Sequence, residues 1–426
     1  MEITNIGPAD VALEFGTRLN LITGDNGLGK SFLLDIAWWA MTRKWPAEVN
    51  PKLTVGKIAL PTDKKKKAEI GFSFTGVSKT KANKIDFEPR LQNWNIPRGR
   101  PANPGMVFYA MADGSFAVWD PARNYWKTKA EESLDRPSAY VFSPKEVWDG
   151  LQGEDGNWLC NGLIRDWAGW QKEKERAFEN LRAVLSVLSP SSAEQLQPGA
   201  LTRISLDDVR DMPTLKMPYG QDVAVVHASS GMRRIISLAY FLVWCWEEHL
   251  KAKELLGEEP ETKTTFLIDE VESHLHPRWQ RTVIPALMQV MAKLTTSAEV
   301  QLIAVTHSPL VMASVEPQFD DQKDAWWDLD LVRQGNSTPT VAFTKRHFVR
   351  LGDVSRWLMS DAFDMGSARS LEAEEVLQQA AKILSEEVID DKQAKVFDAK
   401  LRTLLGDTDP FWIRWRYVGE KQGWLK

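Results

Sequence analysis

Two cysteines, Cys160 and Cys245, and six histidines are all that a chain of 426 residues holds of the softer metal ligands. So few make neither a cysteine metal box nor a disulfide framework, and a reducing cytoplasm is the expected compartment. An HNH nuclease within the chain is excluded on the same count. Long apolar runs are missing too. No stretch reaches the roughly 20 residues that a bilayer span requires, and no charged head precedes an apolar run at the N-terminus, so no membrane contact is expected. Positive charge is not in excess: Lys and Arg total 53 against 58 Asp and Glu, a net charge of −5. A protein that grips phosphate backbones is usually basic over the gripping domain. Nucleic acid is therefore possible at local patches but unsupported by the overall charge. Sustained heptads are absent as well, which excludes long coiled-coil arms.

Tryptophan, by contrast, is abundant at 19 residues, and the expected use is core packing rather than base stacking. The chain is longer than one compact core usually holds, which predicts a large α/β domain with insertions, or two lobes. Its most informative stretch is Gly24-Asp25-Asn26-Gly27-Leu28-Gly29-Lys30-Ser31, a full G-x-x-x-x-G-K-[ST] pattern. The apolar run Leu19 to Thr23 precedes it as a predicted strand, and Phe32, Leu33, Leu34, Ile36 and Ala37 follow at helical spacing. Such a loop aims several N–H groups at one phosphate chain. Lys30 is expected to reach the β and γ phosphates of ATP, and the Ser31 hydroxyl to ligate Mg²⁺.

Further along, Phe266-Leu267-Ile268-Asp269-Glu270 reads as an apolar strand that delivers two carboxylates at its C-terminal edge, where ligands collect in an open α/β sheet. Asp269 is assigned to Mg²⁺ with Ser31, and Glu270 to orienting or deprotonating the attacking water. Gln301 to Val305 is a second apolar strand, and His307 just beyond it is expected to contact the γ-phosphate. Ser229-Ser230-Gly231 opens a strongly apolar helix, Ile235 to Trp246, where hydroxyls and free N–H groups suit an anion. Glu272, His274 and His276 alternate along an extended segment, but their spacing is not that of a helical zinc motif.

These segments, in this order, resemble the ABC-type ATPase heads of the SMC, RecF and OLD-like group. The resemblance rests on Gly24 to Ser31, Ala228 to Arg233, Leu267 to Pro277 and Ala304 to Pro309. It implies an α/β head with a mixed central sheet flanked by helices, a β-rich insertion and a helical lobe. The boundaries expected are 1–45 for the first part of the ATPase lobe and 46–157 for the β-rich insertion. A helical signature lobe over 158–260, the second part of the ATPase lobe over 261–345 and a helical region with an aromatic tail over 346–426 complete the chain. In this family Ser229, Ser230 and Gly231 form the signature that completes a second subunit's nucleotide site, so the resemblance implies a homodimer through the ATP sites, or a higher oligomer built from such dimers. One feature departs from the pattern. No glutamine stands at Ala139 to Pro144, where the family's glutamine loop is expected; Gln152 and Gln171 are the alternatives.

The task is less constrained than the chemistry. Without arms, and with Glu372, Glu374, Glu375, Asp390 and Asp391 read as a solvated helical face rather than a nuclease centre, the chain resembles compact stand-alone ATPases. These are the PtuA-like components of Septu and retron-associated anti-phage systems and the ATPase of PARIS systems. That likeness implies a sensor or scaffold subunit with a separate effector nuclease, docked on the aromatic tail (Phe411, Trp412, Trp415, Arg416, Tyr417) or on the β-rich insertion. Two other readings stay open: a RecF-like repair ATPase clamping DNA with Lys64 to Lys67, Arg98 and Arg100, and a nucleotide-gated scaffold with little turnover.

Overall fold

A computed structural model describes residues 1–75, 80–96, 102–124, 137–153, 155–294, 299–333, 339–385 and 390–425. Arg98 and Arg100 lie outside the described residues. The chain divides into two compact units, Met1–Gly352 and Asp353–Lys426.

The first unit is organised by an eight-stranded sheet in the order Thr340–Arg346, Ala325–Val332, Leu19–Gly24, Glu299–Val305, Lys263–Ile268, Met106–Ala110, Phe116–Trp119, Tyr140–Phe142. The five strands from Ala325–Val332 to Met106–Ala110 run parallel, and antiparallel strands close both edges. Parallel strands are covered on both faces, which is why they read as short continuous apolar runs. Leu19–Gly24 is buried at every residue. Because the strands are parallel and in register, the chain leaves Gly24, Ile268 and Val305 at the same edge of the sheet. The strand ending before His307 lies between the phosphate-loop strand and the acid strand.

The helix Lys30–Thr42 is buried on nearly every face because it lies between two sheets. Trp38 packs on Tyr109 of the central sheet, while Trp39 stacks on Trp45 and packs against Phe72 and Trp94. Phe72 and Trp94 belong to a five-stranded sheet in the order Val11–Ala12, Glu2–Thr4, Glu69–Thr75, Thr80–Glu88, Asn93–Trp94. Residues 46–157 thus supply strands to both sheets rather than to one. The remaining tryptophans follow the same use, and most of those described are buried.

The expected helical lobe over 158–260 does not open on a helix, and its first helical stretch is broken. Trp158–Cys160 pairs with Leu151–Gln152 as a short hairpin, and the helices Leu163–Glu173 and Arg176–Val187 are separated where Lys174 takes a left-handed φ of 53°. Both accompany the 27-residue helix Ser230–Leu256.

In the second unit Leu371–Ser385, Asp391–Leu404 and Phe411–Gln422 are helices. Two members of the aromatic tail expected as a docking surface, Trp412 and Trp415, are buried. Trp412 and Trp415 fall three residues apart, on one helix face, and enter a core with Ala380, Ala394, Leu401 and Trp424. Ile413 and Tyr417 of the same helix stay exposed, at 78% and 66%. Among the described residues no helix is long and apolar enough to cross a membrane.

Candidate active site

The loop Gly24 to Ser31 turns between strand and helix with Gly24, Gly27 and Gly29 at φ of 128°, 80° and 94°. Gly24 has a second reason to lack a side chain: a Cβ there would come within 2.3 Å of the Leu329 carbonyl oxygen on the neighbouring strand. Lys30 is buried, and its Nζ donates to the carbonyls of Gly24 at 2.8 Å and Asp25 at 2.5 Å. Burial pulls its pKa down, and the carboxylates of Asp269, Asp25, Glu270 and Glu272 oppose that pull. The amine is thus folded onto its own loop, within reach of several acids.

Asp269 leaves the acid strand buried at 3% exposure. Burial pushes its carboxyl up to about 6 against a hydrogen bond from Ser31 that lowers it, and its Oδ1 has no hydrogen-bond partner. An orphaned carboxylate oxygen beside a hydroxyl is costly in an apolar setting unless something cationic meets it. The donor set, one carboxylate and one hydroxyl at a phosphate loop, fits Mg²⁺. Glu270 follows at a left-handed φ of 45°, a conformation that costs a non-glycine residue and collects at functional sites. Its Oε2 accepts from Ser273 Oγ at 3.0 Å.

His307 begins the turn beyond its strand. Burial first, then the charge of Lys30, holds its pKa below the ordinary histidine value, which keeps the imidazole neutral. Its main-chain N–H donates to Glu272 Oε1, and Thr306 Oγ1 donates to Glu272 Oε2 at 2.7 Å. The sequence singled out Glu272 only as a weak metal candidate. Among the described residues no cluster of three His, Cys, Asp or Glu suits a metal ion, and His276 instead caps the helix Pro277–Gln280 through Nδ1.

Ser229 and Ser230 stand exposed at the start of the long helix, with Ser229 Oγ accepting from the Met232 N–H at 3.3 Å. They share no described hydrogen bond with the phosphate loop of their own chain. Gly231 is buried, and a Cβ there would lie 2.6 Å from the His274 carbonyl oxygen. Arg234, to which the sequence assigned no role, sends Nη1 to the Ala112 carbonyl and Nη2 to those of Met111, Asp269 and Glu270, at 3.1 to 3.4 Å. Neither glutamine candidate reaches this edge. Gln152 lies in the hairpin with Trp158, and Gln171 accepts from Trp167 and donates to the Gly199 carbonyl.

A family model described as "AAA domain, putative AbiEii toxin, Type IV TA system" matches residues 19–313, from the phosphate-loop strand to just past His307. The chain is similar to the "Retron Ec83 probable ATPase" of Escherichia coli, 27% identical over 159 residues that cover 37% of this chain and 26% of the relative. It is also similar to the "Septu protein PtuA" of Bacillus thuringiensis, 29% identical over 430 residues that cover 96% of this chain and 94% of the relative. The match therefore spans about a quarter of the retron protein's length and nearly all of the Septu protein's. Among solved structures, the SMC head domain from Thermotoga maritima aligns with a TM-score of 0.38 and 14% identity, covering 81% of this chain and 97% of that one.

Proposed function

The chain belongs to this AAA-domain family, as an ATPase of the SMC/ABC type, and on that premise we propose that it hydrolyses ATP with Mg²⁺ as a nucleotide-driven homodimer. Its role is that of sensor and scaffold in a bacterial anti-phage defence complex whose effector nuclease is a separate protein. The observation that carries the dimer is that Ser229 and Ser230 stand exposed at a helix N-terminus suited to an anion and share no described hydrogen bond with the loop of their own chain. A second copy brings that end to the γ-phosphate held by Lys30. The similarity to a Septu protein over almost the whole chain supports the defence role.

In this reading the loop N–H groups and Lys30 hold the phosphate chain, and Lys30 exchanges its two carbonyl contacts for phosphate oxygens. Ser31 and Asp269 would hold Mg²⁺, which when bound would supply positive charge to offset that of the phosphate chain. Glu270 accepts the proton of the attacking water, a role worth about 10²- to 10⁴-fold in rate. Neutral His307 donates a hydrogen bond to the γ-phosphate as it departs. The DNA-clamp reading gains little: Lys67 is already engaged by Glu69 and Asp86.

Light scattering of Glu270→Gln with ATP and Mg²⁺ tests the proposal. A dimer that forms only with ATP, together with lost turnover, is the expected result, and Lys30→Ala should bind no nucleotide. A monomer under all conditions removes the composite site. Co-purification with the product of a neighbouring nuclease gene tests the defence role, whereas ATP-dependent, salt-sensitive DNA binding without such a partner favours repair.

A further inference from the structure

Glu270 and His307 sit on turns that leave two adjacent strands, and a ring of hydrogen bonds joins those turns. Glu272 receives the Thr306 hydroxyl and the His307 N–H. The same Thr306 oxygen accepts from the Ser308 N–H at 3.0 Å. Ser308 Oγ donates to Gln280 Oε1 at 2.7 Å, and Gln280 Nε2 returns to the Leu275 carbonyl at 2.9 Å. Both oxygens of one carboxylate are thereby spent on the neighbouring turn. Two residues earlier, Glu270 carries its own carboxylate at a left-handed backbone position.

We infer that Glu272 is a positioning residue, which fixes the distance between Glu270 and His307 by clamping the His307 turn to the acid turn. The inference rests on the reading of His307 as the residue that senses the γ-phosphate. Its physical basis is that both oxygens of one carboxylate accept from the His307 turn, and that the ring closes, so that neither turn moves alone. Glu272 itself touches no reacting atom. Its effect on hydrolysis passes through the His307 main chain.

The test uses the full chain. In Glu272→Gln without nucleotide, hydrogen exchange at the His307 amide is expected to quicken about tenfold or more, with the melting temperature and exchange in the other central strands unchanged. Turnover at saturating ATP is expected to fall about tenfold while ATP affinity stays within about twofold. In a His307→Ala background the same substitution adds less than about twofold. Thr306→Val cuts the same clamp from the other turn and carries the same expectations if Glu272→Gln does not fold. Unchanged amide exchange, or losses that multiply in the double variant, overturn the role of Glu272. A His307→Ala turnover equal to the parent's overturns instead the sensor reading on which the inference rests.

Discussion

Arg234 donates from Nη2 to the main-chain carbonyl of Asp269 at 3.2 Å, so the helix that begins at Ser230 is hydrogen-bonded to the end of the acid strand in its own chain. Met111, Ala112 and Glu270 offer their carbonyls to the same guanidinium. Replacing Arg234 by Ala strips a donor from four part-buried carbonyls; those of Met111 and Glu270 keep the N–H groups of Gly114 and Ser273, so the cost of about 1–3 kcal/mol each falls on Ala112 and Asp269 where water does not reach them. Chemical denaturation should show a loss of several kcal/mol. Arg234→Lys should recover only part of it, since an ammonium lacks the planar fork.

Burial raises the Asp35 carboxyl to about 7, with the Tyr109 hydroxyl at 2.9 Å as its opposing hydrogen bond. An acid whose folded pKa lies above its unfolded value favours folding fully at low pH. That contribution is lost as pH rises from about 4 through about 7. Asp35→Asn keeps an acceptor for Tyr109 and removes the titration. The variant is expected to unfold at a higher temperature than the parent at pH 8, by about 2–4 kcal/mol in stability, with the gap closing near pH 4. A gap independent of pH would refute this account.

Gly231→Ala places a methyl group within 2.6 Å of the His274 carbonyl oxygen. The atoms it meets are main chain, of His274 and Leu275, which leaves little room to yield, and overpacking of this kind costs about 1–3 kcal/mol. The helix start should shift relative to the acid turn. ATP-dependent dimerisation, followed by light scattering, is expected to weaken more than ATP binding by the separate chain.

Trp415 and Tyr417 share one helix but not one environment, at 0% and 66% exposure. Trp415→Ala should cost about 3–5 kcal/mol by cavity formation, read as early proteolysis within residues 353–426. Tyr417→Ala should stay within about 0.5 kcal/mol of the parent. Equal effects would contradict the packing described.

Motifs whose chemistry is local were legible in the sequence. The phosphate loop needs consecutive residues, and the acid pair needs only a strand that ends at Asp269. What escaped depends on elements far apart in the chain. Arg234 finds its acceptors at positions 111, 112, 269 and 270, and Glu272 finds its donors at 306 and 307; neither spacing leaves a periodic signal. Burial of the two tail tryptophans escaped for a related reason. Composition shows that Trp412 and Trp415 are large and apolar, but only the helix period and the facing residues Ala380, Ala394 and Leu401 decide that they point inward.

The placement of the Glu299–Val305 strand between Leu19–Gly24 and Lys263–Ile268 has a consequence for biosynthesis. Leu19 is in register with Leu302, so the phosphate-loop strand waits for its inner neighbour until a partner nearly 300 residues further along the chain has left the ribosome. Pairings this distant in sequence form late, because the loop between them must close first. Completion of the phosphate-loop sheet therefore waits for residues 299–305, and a nascent chain stalled before residue 299 exposes the apolar edge of an unfinished sheet.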